Sequence, residues 1–238
     1  MRIDVVTLFP EMFEALNHSI VGRARRDGHL ELNTVQLRDF AINRYGQVDD
    51  YAYGGEPGMV LRPEPLSDAL ESLQYPEGTP VLHMTPQGKP FDQPMAEEFA
   101  KFDRLVIVCG HYKGLDERIV EKYVTHEVSL GDFVLTGGEL AAMAIADAVI
   151  RLKPGVLGDK ESADTDSFST RRLGWPLYTR PETFRGMAVP EVLKGGNHAL
   201  IEAWRRREAL RRTVERRPDL LEKWPLTPEE TSLLGKDY

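Results

Sequence analysis

Apolar runs and helix-like patterns alternate over about the first 150 residues of the chain. Five apolar or alternating runs predict strands, at residues 2–9, 30–37, 80–84, 105–109 and 124–130. Between them, amphipathic or apolar segments predict helices at residues 10–15, 20–26, 65–73, 95–102 and 141–152, and one that ends at Tyr123. Residues 105–109, LVIVC, are typical of a buried central strand. This alternation predicts an α/β fold with a mostly parallel sheet.

Three loops follow predicted strands directly, at residues 85–88, 110–114 and 131–138. In open α/β sheets, ligands bind at the edge where the strands end, so we expect these loops to form one site. The pair Gly137–Gly138 would let backbone approach a flat ligand because glycine has no Cβ. Thr136 and Glu139 have the spacing of a capping box, which predicts a helix start there. A tight turn that needs only positive φ is the alternative interpretation.

The loop 131–138 does not fit the common phosphate-binding patterns. It has neither the G-x-G-x-x-G fingerprint of dinucleotide-binding proteins nor the G-K-[ST] ending of a P-loop. Asp132 and Glu139 would also repel a phosphate, whereas they would tolerate a cation or a ribose. A nucleotide-dependent oxidoreductase is therefore disfavoured.

Two polar segments interrupt the pattern. Residues 38–57 form a long stretch with little periodicity, which is typical of a functional loop. A surface loop without a function would show the same pattern. Residues 159–172 lack apolar periodicity and predict a linker that could be disordered without a partner. We therefore divide the chain into an α/β domain at 1–158, a linker at 159–172 and a helical domain at 173–238.

The last domain contains a long helix, predicted at residues 199–217 with Asn197 as its N-cap. Its predicted apolar side consists of Leu200, Ala203, Trp204, Leu210 and Val214. The opposite side carries Arg205, Arg212 and Arg216. A basic helix on an acidic protein is a candidate nucleic-acid contact. A solvated face held by ion pairs between neighbouring turns is the alternative.

Composition narrows the class of protein. The 238 residues carry a net charge of −8, so the molecule as a whole does not resemble a nucleic-acid binder and only the basic helix does. The single cysteine, Cys109, excludes an intrachain disulfide and indicates a reducing compartment. No zinc-ligand spacing, signal peptide or membrane-spanning apolar run is present in the sequence. We expect a cytoplasmic protein without a membrane or a structural metal.

Ten short motifs follow one another in a specific order along essentially the whole chain. They are TLFPEMF (7–13), VDDYAYGGEPGMV (48–60), PQGKPFDQ (86–93), CGHYKGLDERI (109–119), GDFVLTGGELAA (131–142), PGVLG (154–158), DSF (166–168), YTRPE (178–182), VPEVL (189–193) and GNHALIEAW (196–204). Together they resemble the bacterial tRNA (guanine-N1)-methyltransferases of the TrmD type, within the SPOUT superfamily of knotted methyltransferases. One such motif alone would carry little weight.

The resemblance implies S-adenosylmethionine as the methyl donor and N1 of guanosine 37 in tRNA, beside guanosine 36, as the acceptor. It also implies a deep trefoil knot in the first domain, a small helical C-terminal domain, and a homodimer whose active site is shared between subunits. The family is regarded as magnesium-assisted, so Mg²⁺ is an expected helper although no metal ligand is assigned.

The same resemblance assigns residues. The donor pocket would be built by Met84, Pro86, Gly88, Gly110, Tyr112, Ser129, Leu130, Phe133, Leu135, Gly137 and Gly138. Asp166 would act as the general base on N1, and Arg151 would stabilise the charge on guanine O6. Arg205, Arg212 and Arg216 would contact tRNA.

The chain departs from the usual family pattern at five positions. These are Tyr45 for histidine, His111 for arginine, Lys113 for glutamate, Phe133 for tyrosine and Gly174 for aspartate. The glutamate usually lies at the donor site, so its role is not transferred to Lys113. Two other functions stay open: a related knotted RNA methyltransferase that modifies another nucleotide or a ribose 2′-hydroxyl, and an RNA-binding protein without catalysis.

Overall fold

The computed structural model describes residues 1–158 and 165–235, and the chain divides into two compact units, Met1–Gly158 and Asp159–Tyr238. The strands of the first unit are β1 (Arg2–Thr7), β2 (Glu31–Gln36), β3 (Asp49–Tyr51), β4 (Met59–Leu61), β5 (Val81–Pro90), β6 (Arg104–Cys109) and β7 (His126–Ser129). Its helices are α1 (Ser19–Arg26), α2 (Pro63–Ser72), α3 (Gln93–Phe99), α4 (Glu117–Tyr123) and α5 (Glu139–Ile150), with two 3₁₀ helices at Pro10–Asn17 and Leu37–Phe40.

Five strands of the described residues form a parallel sheet in the order β2-β1-β6-β5-β7. Apolar side chains fill both faces of this sheet. One face packs against α1, α3 and α5 through residues such as Phe99 and Ile145, and the other against α2 and α4 through Leu66 and Ile119. Burial on both faces explains the nearly continuous apolar runs in β1 and β6. The predicted α/β class with a parallel sheet is confirmed.

Asp4 is a fully buried carboxylate in the middle of β1. It accepts hydrogen bonds from Arg2 at 2.8 Å, from Asn33 at 2.7 Å and from Arg104 at 2.8 Å. Burial alone would raise the pKa of Asp4, but these hydrogen bonds outweigh burial and lower the pKa. The charge therefore ties three neighbouring strands of the sheet together.

The segment at 38–57 is less irregular than the polar pattern predicts. It begins within a 3₁₀ helix and ends in a hairpin, because β3 pairs antiparallel with β4 in the register Tyr51–Met59. Both strands have only three residues, too few for a period of two to be recognised in the sequence.

Three details of the first unit correct the sequence predictions. The segment predicted as a helix at 10–15 is a 3₁₀ helix, Pro10–Asn17. The strand predicted at 80–84 continues to Pro90. Its register against β7 shifts between Met84 and Lys89, and residues 85–88, predicted as a loop, lie in this irregular part of the strand. The capping box of Thr136 and Glu139 is wrong: α5 begins at Glu139 with Gly138 as N-cap and has no side-chain cap.

The described part of the second unit is built around the long helix α6 (His198–Arg216), which is followed by α7 (Asp219–Lys223) and α8 (Pro228–Leu234). A short hairpin, β8 (Thr183–Phe184) with β9 (Met187–Ala188), and a 3₁₀ helix, Glu191–Leu193, precede them. Asn197 caps α6 by accepting from the Leu200 N–H at 3.3 Å, which confirms the predicted cap.

The buried face of α6 differs from the predicted one. Its buried residues are Ala209, Leu210 and Thr213, whereas Leu200 is 58% exposed and Ala203 is exposed as well. The small Ala209 and Thr213 allow the segment after Asp166 to approach closely, and the Leu173 N–H donates to Thr213 Oγ1 at 2.9 Å. The three candidate arginines therefore flank the buried face of α6 rather than oppose it.

The predicted linker does not extend to Arg172. This guanidinium is 7% exposed, pairs with Glu230 at 2.9 Å and donates to the carbonyl oxygens of Trp224 and Pro225. Residues 165–172 thus fold onto α6 and α8, while residues 159–164 of the predicted linker lie outside the described residues. Within the described ranges, no helix is both long and apolar enough to traverse a bilayer.

Candidate active site

A cleft of about 320 Å³ opens at the edge of the sheet where β6 and β7 end and where β5 shifts its register. Residues from all three predicted loops line it, although residues 85–88 lie within β5 and do not follow it. Ten candidate donor-pocket residues line this one cleft: Met84, Pro86, Gly110, Tyr112, Ser129, Leu130, Phe133, Leu135, Gly137 and Gly138. Tyr112, from the loop after β6, and Phe133, from the loop after β7, are 51% and 54% exposed.

Gly88, the eleventh candidate, is not among the residues that line the cleft. A Cβ at this position would lie 2.3 Å from the backbone of both Glu127 and Val128. Glycine is therefore needed here so that β5 can pass close to β7, and this requirement is independent of any ligand.

The glycine pair before α5 also permits contacts within the chain. Gly138 has φ −81°, so positive φ does not explain it. A Cβ on Gly138 would lie 2.8 Å from Cys109 Cα, and the Gly138 N–H donates to the Gly110 carbonyl at 3.0 Å. A Cβ on Gly137 would lie 2.4 Å from His111 Nε2. The loop after β7 is thus packed tightly against the loop after β6.

Glu139 is a buried charge beside the cleft, with only 1% of its surface exposed. Its carboxylate accepts from Thr7 Oγ1 at 2.6 Å and from His111 Nε2 at 2.8 Å. The Phe9 ring lies 5.0 Å from the His111 ring. Glu139 therefore orients a cleft-lining imidazole and joins β1 to the start of α5. A glutamate at the start of an otherwise apolar helix was the only signal of this role in the sequence.

His83 is a further cleft-lining residue that the sequence did not reveal. Its ring is 6% exposed, and within the described residues its buried Nδ1 has no hydrogen-bond partner. The closest carboxylate oxygen, on Glu127, lies 3.6 Å from Nδ1. Burial lowers the pKa of His83 to about 4, so the imidazole is neutral at neutral pH.

Cys109 lies at the end of β6, beneath the cleft, and is 1% exposed. Burial raises the pKa of its thiol, and the nearby charge of Glu139 raises it further. A protonated, buried thiol is a poor nucleophile. The site therefore does not offer a cysteine for covalent catalysis.

Lys113 is an exposed cation on the wall of the cleft. Its backbone N–H donates to the Met59 carbonyl at 2.9 Å. Its Cγ lies 2.9 Å from the position that a Cβ on Gly58 would occupy, so the alkyl stem rests on the β3–β4 hairpin. The cleft thus carries a positive charge where a carboxylate was the family expectation.

Arg151 lies at the other end of α5 from the cleft. It is the C-cap residue of this helix, whose twelve residues span about 18 Å. Just beyond it, Lys153 Nζ donates to the carbonyl oxygens of Ala100 and Phe102, which precede β6. The C-terminal end of α5 is therefore at the opposite edge of the sheet, and Arg151 cannot reach the cleft of its own chain.

Asp166 belongs to the second unit, where it is exposed on a tight loop. Its backbone carbonyl accepts from Ser169 Oγ at 2.7 Å. The next residue, Ser167, accepts from the Gly174 N–H at 2.9 Å and so closes the loop. Asp166 also lines a second cleft of about 320 Å³, together with Trp175, Glu202 and Arg205.

The three candidate tRNA-binding arginines have different surroundings. The Arg205 guanidinium lies 5.2 Å from the centre of the Trp175 ring. Arg212 is half-buried, and its Nε is buried with no hydrogen-bond partner within the described ranges. Arg216 is exposed. Arg211, which was not a candidate, is held between Glu208 at 2.7 Å and Glu215 at 2.8 Å.

A metal site was not assigned from the sequence. Over residues 1–158 and 165–235, no group of three His, Cys, Asp or Glu side chains is arranged to hold an ion.

Comparison with known proteins places these features in a family. A family model described as "tRNA (Guanine-1)-methyltransferase TrmD" matches residues 1–223. Curated proteins named "tRNA (guanine-N(1)-)-methyltransferase" from Staphylococcus aureus strains JH9, N315 and Newman are 55% identical over 237 residues. Each alignment covers 99% of this chain and 97% of the relative.

Proposed function

Because this chain belongs to the tRNA (guanine-1)-methyltransferase family, an enzyme family that methylates guanine N1 in tRNA, we propose that it uses S-adenosylmethionine to methylate guanosine 37 beside guanosine 36. The observation that supports this proposal most directly is that the loops after β6 and β7 and the irregular part of β5 converge on one cleft at the edge of the sheet. Ligands of open α/β sheets bind at this edge.

The first cleft suits the methyl donor. Its volume of about 320 Å³ lies in the range of ligand-binding pockets, and its walls combine apolar side chains with backbone polar groups. The exposed rings of Tyr112 and Phe133 can cover a flat adenine. When bound, S-adenosylmethionine supplies a methyl group that the sulfonium already makes electrophilic, so no side chain has to act as a nucleophile. The protonated thiol of Cys109 agrees with this.

Asp166 is the proposed general base. The N1 position of a stacked guanine is not accessible, so the base must be turned out of the anticodon loop. An unperturbed carboxylate has a pKa of about 3.9, far below that of guanine N1, so proton removal needs help. Arg151 provides it by stabilising the negative charge that develops on O6 as the N1 proton moves to Asp166. Magnesium assistance stays an expectation, and no step here depends on it.

The position of Arg151 supports our proposal of a homodimer with a shared active site. Since α5 separates Arg151 from the cleft of its own chain by about 18 Å, an active site that uses both needs Arg151 from a second copy. An apolar surface is available for such a contact. Leu140 on α5 is 52% exposed, and Met12 on the neighbouring 3₁₀ helix is 38% exposed. The trefoil knot of a SPOUT-type chain stays part of the proposal, as the family resemblance implies.

The remaining assignments follow the two units. We assign donor binding to Met1–Gly158, and we assign the catalytic Asp166 and tRNA binding to the second unit, Asp159–Tyr238. Arg205, Arg212 and Arg216 would hold phosphates, which position the tRNA without reading its sequence. We expect the enzyme to act in the cytoplasm, as its lone buried cysteine suggests.

Methyl transfer to tRNA transcripts that differ only at position 37 tests the proposed acceptor. Transfer should require guanosine 37, and the product should block primer extension there because N1-methylguanine cannot pair. Transfer at another nucleotide, or a product that leaves primer extension unaffected, would instead favour a related enzyme with another target or a ribose target. Donor and tRNA binding without any transfer would favour a non-catalytic RNA-binding protein.

Asp166→Ala and Asp166→Asn test the general base. Both should lower kcat about 10²- to 10⁴-fold and leave donor binding unchanged. Glu202→Gln is the matched control, because Glu202 is a carboxylate in the same second cleft and should not be required. Near-normal transfer by Asp166→Asn would refute the assignment.

A further inference from the structure

The β3–β4 hairpin forms a lip on the donor-binding cleft. The Lys113 N–H donates to Met59 at 2.9 Å, and the Leu61 N–H donates to Gly114 at 3.0 Å. Leu61 also forms a parallel bridge with Leu115. The hairpin is therefore joined by backbone hydrogen bonds to the loop at 110–114, which lines the cleft.

Two tyrosines on this lip present their rings to solvent. Tyr51 is 80% exposed and Tyr53 is fully exposed, at 101%. Among the residues that the structure describes, neither ring stacks on another ring or makes a side-chain hydrogen bond. Neither ring contributes to the apolar core, so burial does not explain why two large rings occur here with only one residue between them. We define Tyr51 and Tyr53 as the tyrosine lip.

The surface beside the lip is open. Gly54 and Gly55 have φ of +89° and +80°, and a Cβ at either position would meet nothing within 4 Å. The backbone next to Tyr53 therefore carries no side chain that could cover the ring. A flat partner can approach this ring face to face.

A cation lies beside the tyrosine lip. Tyr51 pairs with Met59 on one side of β4, and the Lys113 N–H donates to the Met59 carbonyl on the other, so the two residues are about 10 Å apart. The nearest carboxylate on the strand, Asp50, is engaged by Arg62 at 2.7 Å.

We propose that the tyrosine lip is a stacking platform for unpaired tRNA nucleotides next to the methylated guanosine, with Lys113 contacting their phosphates. Exposed aromatic rings beside cations are the common basis of single-strand binding, because every base has a flat face and every linkage a negative charge. A second copy of this chain is a poorer fit, since stable subunit interfaces have apolar centres depleted of charge. The inference rests on the proposed function, because it takes tRNA as the substrate.

Stacking can be measured without catalysis. The full-length protein is mixed with an anticodon stem-loop RNA that carries 2-aminopurine beside the target guanosine, with no methyl donor present. Binding to the wild type should quench the 2-aminopurine fluorescence. The double variant Tyr51→Leu/Tyr53→Leu should lose this quenching and weaken RNA binding about five- to a hundredfold for each base that stacks. Such exposed substitutions should change the free energy of unfolding very little.

The double variant Tyr51→Phe/Tyr53→Phe is the matched control, because it keeps both rings and removes only the hydroxyls. It should quench and bind like the wild type. Unchanged quenching in the Leu variant, or equal losses in the Phe and Leu variants, would refute stacking. A lower molar mass of the Leu variant in light scattering would show that the lip is a subunit contact instead. Failure of wild-type methyl transfer would count against the proposed function alone, since this assay uses no donor.

Discussion

His83 shows how a single buried residue can couple folding stability to pH. Its imidazole is buried and neutral, with a pKa of about 4, whereas an unfolded histidine has a pKa of about 6.5. Between these values the unfolded chain binds a proton that the folded chain does not. Stability is therefore unaffected above about pH 6.5 and falls as the pH is lowered from there to about 4. The sign follows from the depressed pKa of a basic group.

We predict that the free energy of unfolding falls by up to about 3 kcal/mol over this range because of His83. Urea denaturation of His83→Gln at pH 4 to 8 should lack this part of the slope. His198→Gln is the control, since it removes an exposed histidine at the start of α6. The lowered pKa of Asp4 changes the free energy of unfolding only at lower pH, so its effect can be distinguished from that of His83. An identical slope in the wild type and in His83→Gln would contradict the prediction.

At the scale of an element, α6 carries an exposed arginine proposed to bind RNA and a neighbouring arginine that is held by ion pairs. Arg216 is exposed, whereas Arg211 is held by Glu208 and Glu215 one turn away on either side. We predict that Arg216→Gln weakens tRNA binding equally for all tRNAs and reduces the slope of log K against log salt by about 1. Filter binding at several salt concentrations measures both quantities.

Arg211→Gln is the matched control for this experiment. It removes the same charge from the same helix, but it breaks two ion pairs that each contribute a few tenths of a kcal/mol. It should lower helix stability slightly and leave the salt slope unchanged. If both variants change the slope equally, the net charge of the helix and not a contact at Arg216 determines binding.

The elements themselves differed in how well the sequence predicted them. Long apolar segments such as β6 and α5 were identified because burial on both faces leaves a strong pattern. The predicted buried face of α6 was wrong because helical periodicity emphasises large apolar residues. Ala209 and Thr213 are buried on account of their small size. The three-residue strands of the β3–β4 hairpin are too short to show any period.

At the scale of the whole molecule, the sequence predicted where the cleft lies but not the contacts that form it. Gly137 and Gly138 were predicted to accommodate a ligand, yet the space they provide is first taken up by His111 and Cys109. The buried Thr7–Glu139–His111 network links residues up to 132 positions apart, so no local pattern could reveal it. Family resemblance supplied Asp166 and Arg151, and only the structure shows that Arg151 is remote from the cleft of its own chain.

That separation leads to the last prediction, which concerns the assembly. Arg151→Ala should abolish transfer by removing the charge stabiliser, and Leu135→Arg should abolish it by placing a cation in the donor-binding cleft. Mixed in equal amounts and allowed to exchange subunits, the two inactive variants should recover about one quarter of wild-type activity. Half of the dimers would be mixed, and each would hold one intact site built from one chain's cleft and the other chain's Arg151.

The control is Arg151→Ala/Leu135→Arg in one chain, mixed with the wild type. Its mixed dimers have no intact site. One site has the Leu135→Arg change in its cleft, and the other site receives Ala at position 151. Exchange must be verified by native mass spectrometry before the rates are compared. If mixed dimers form from the two single variants and remain inactive, Arg151 does not act across the interface. The length of α5 would then exclude Arg151 from the donor-binding cleft altogether.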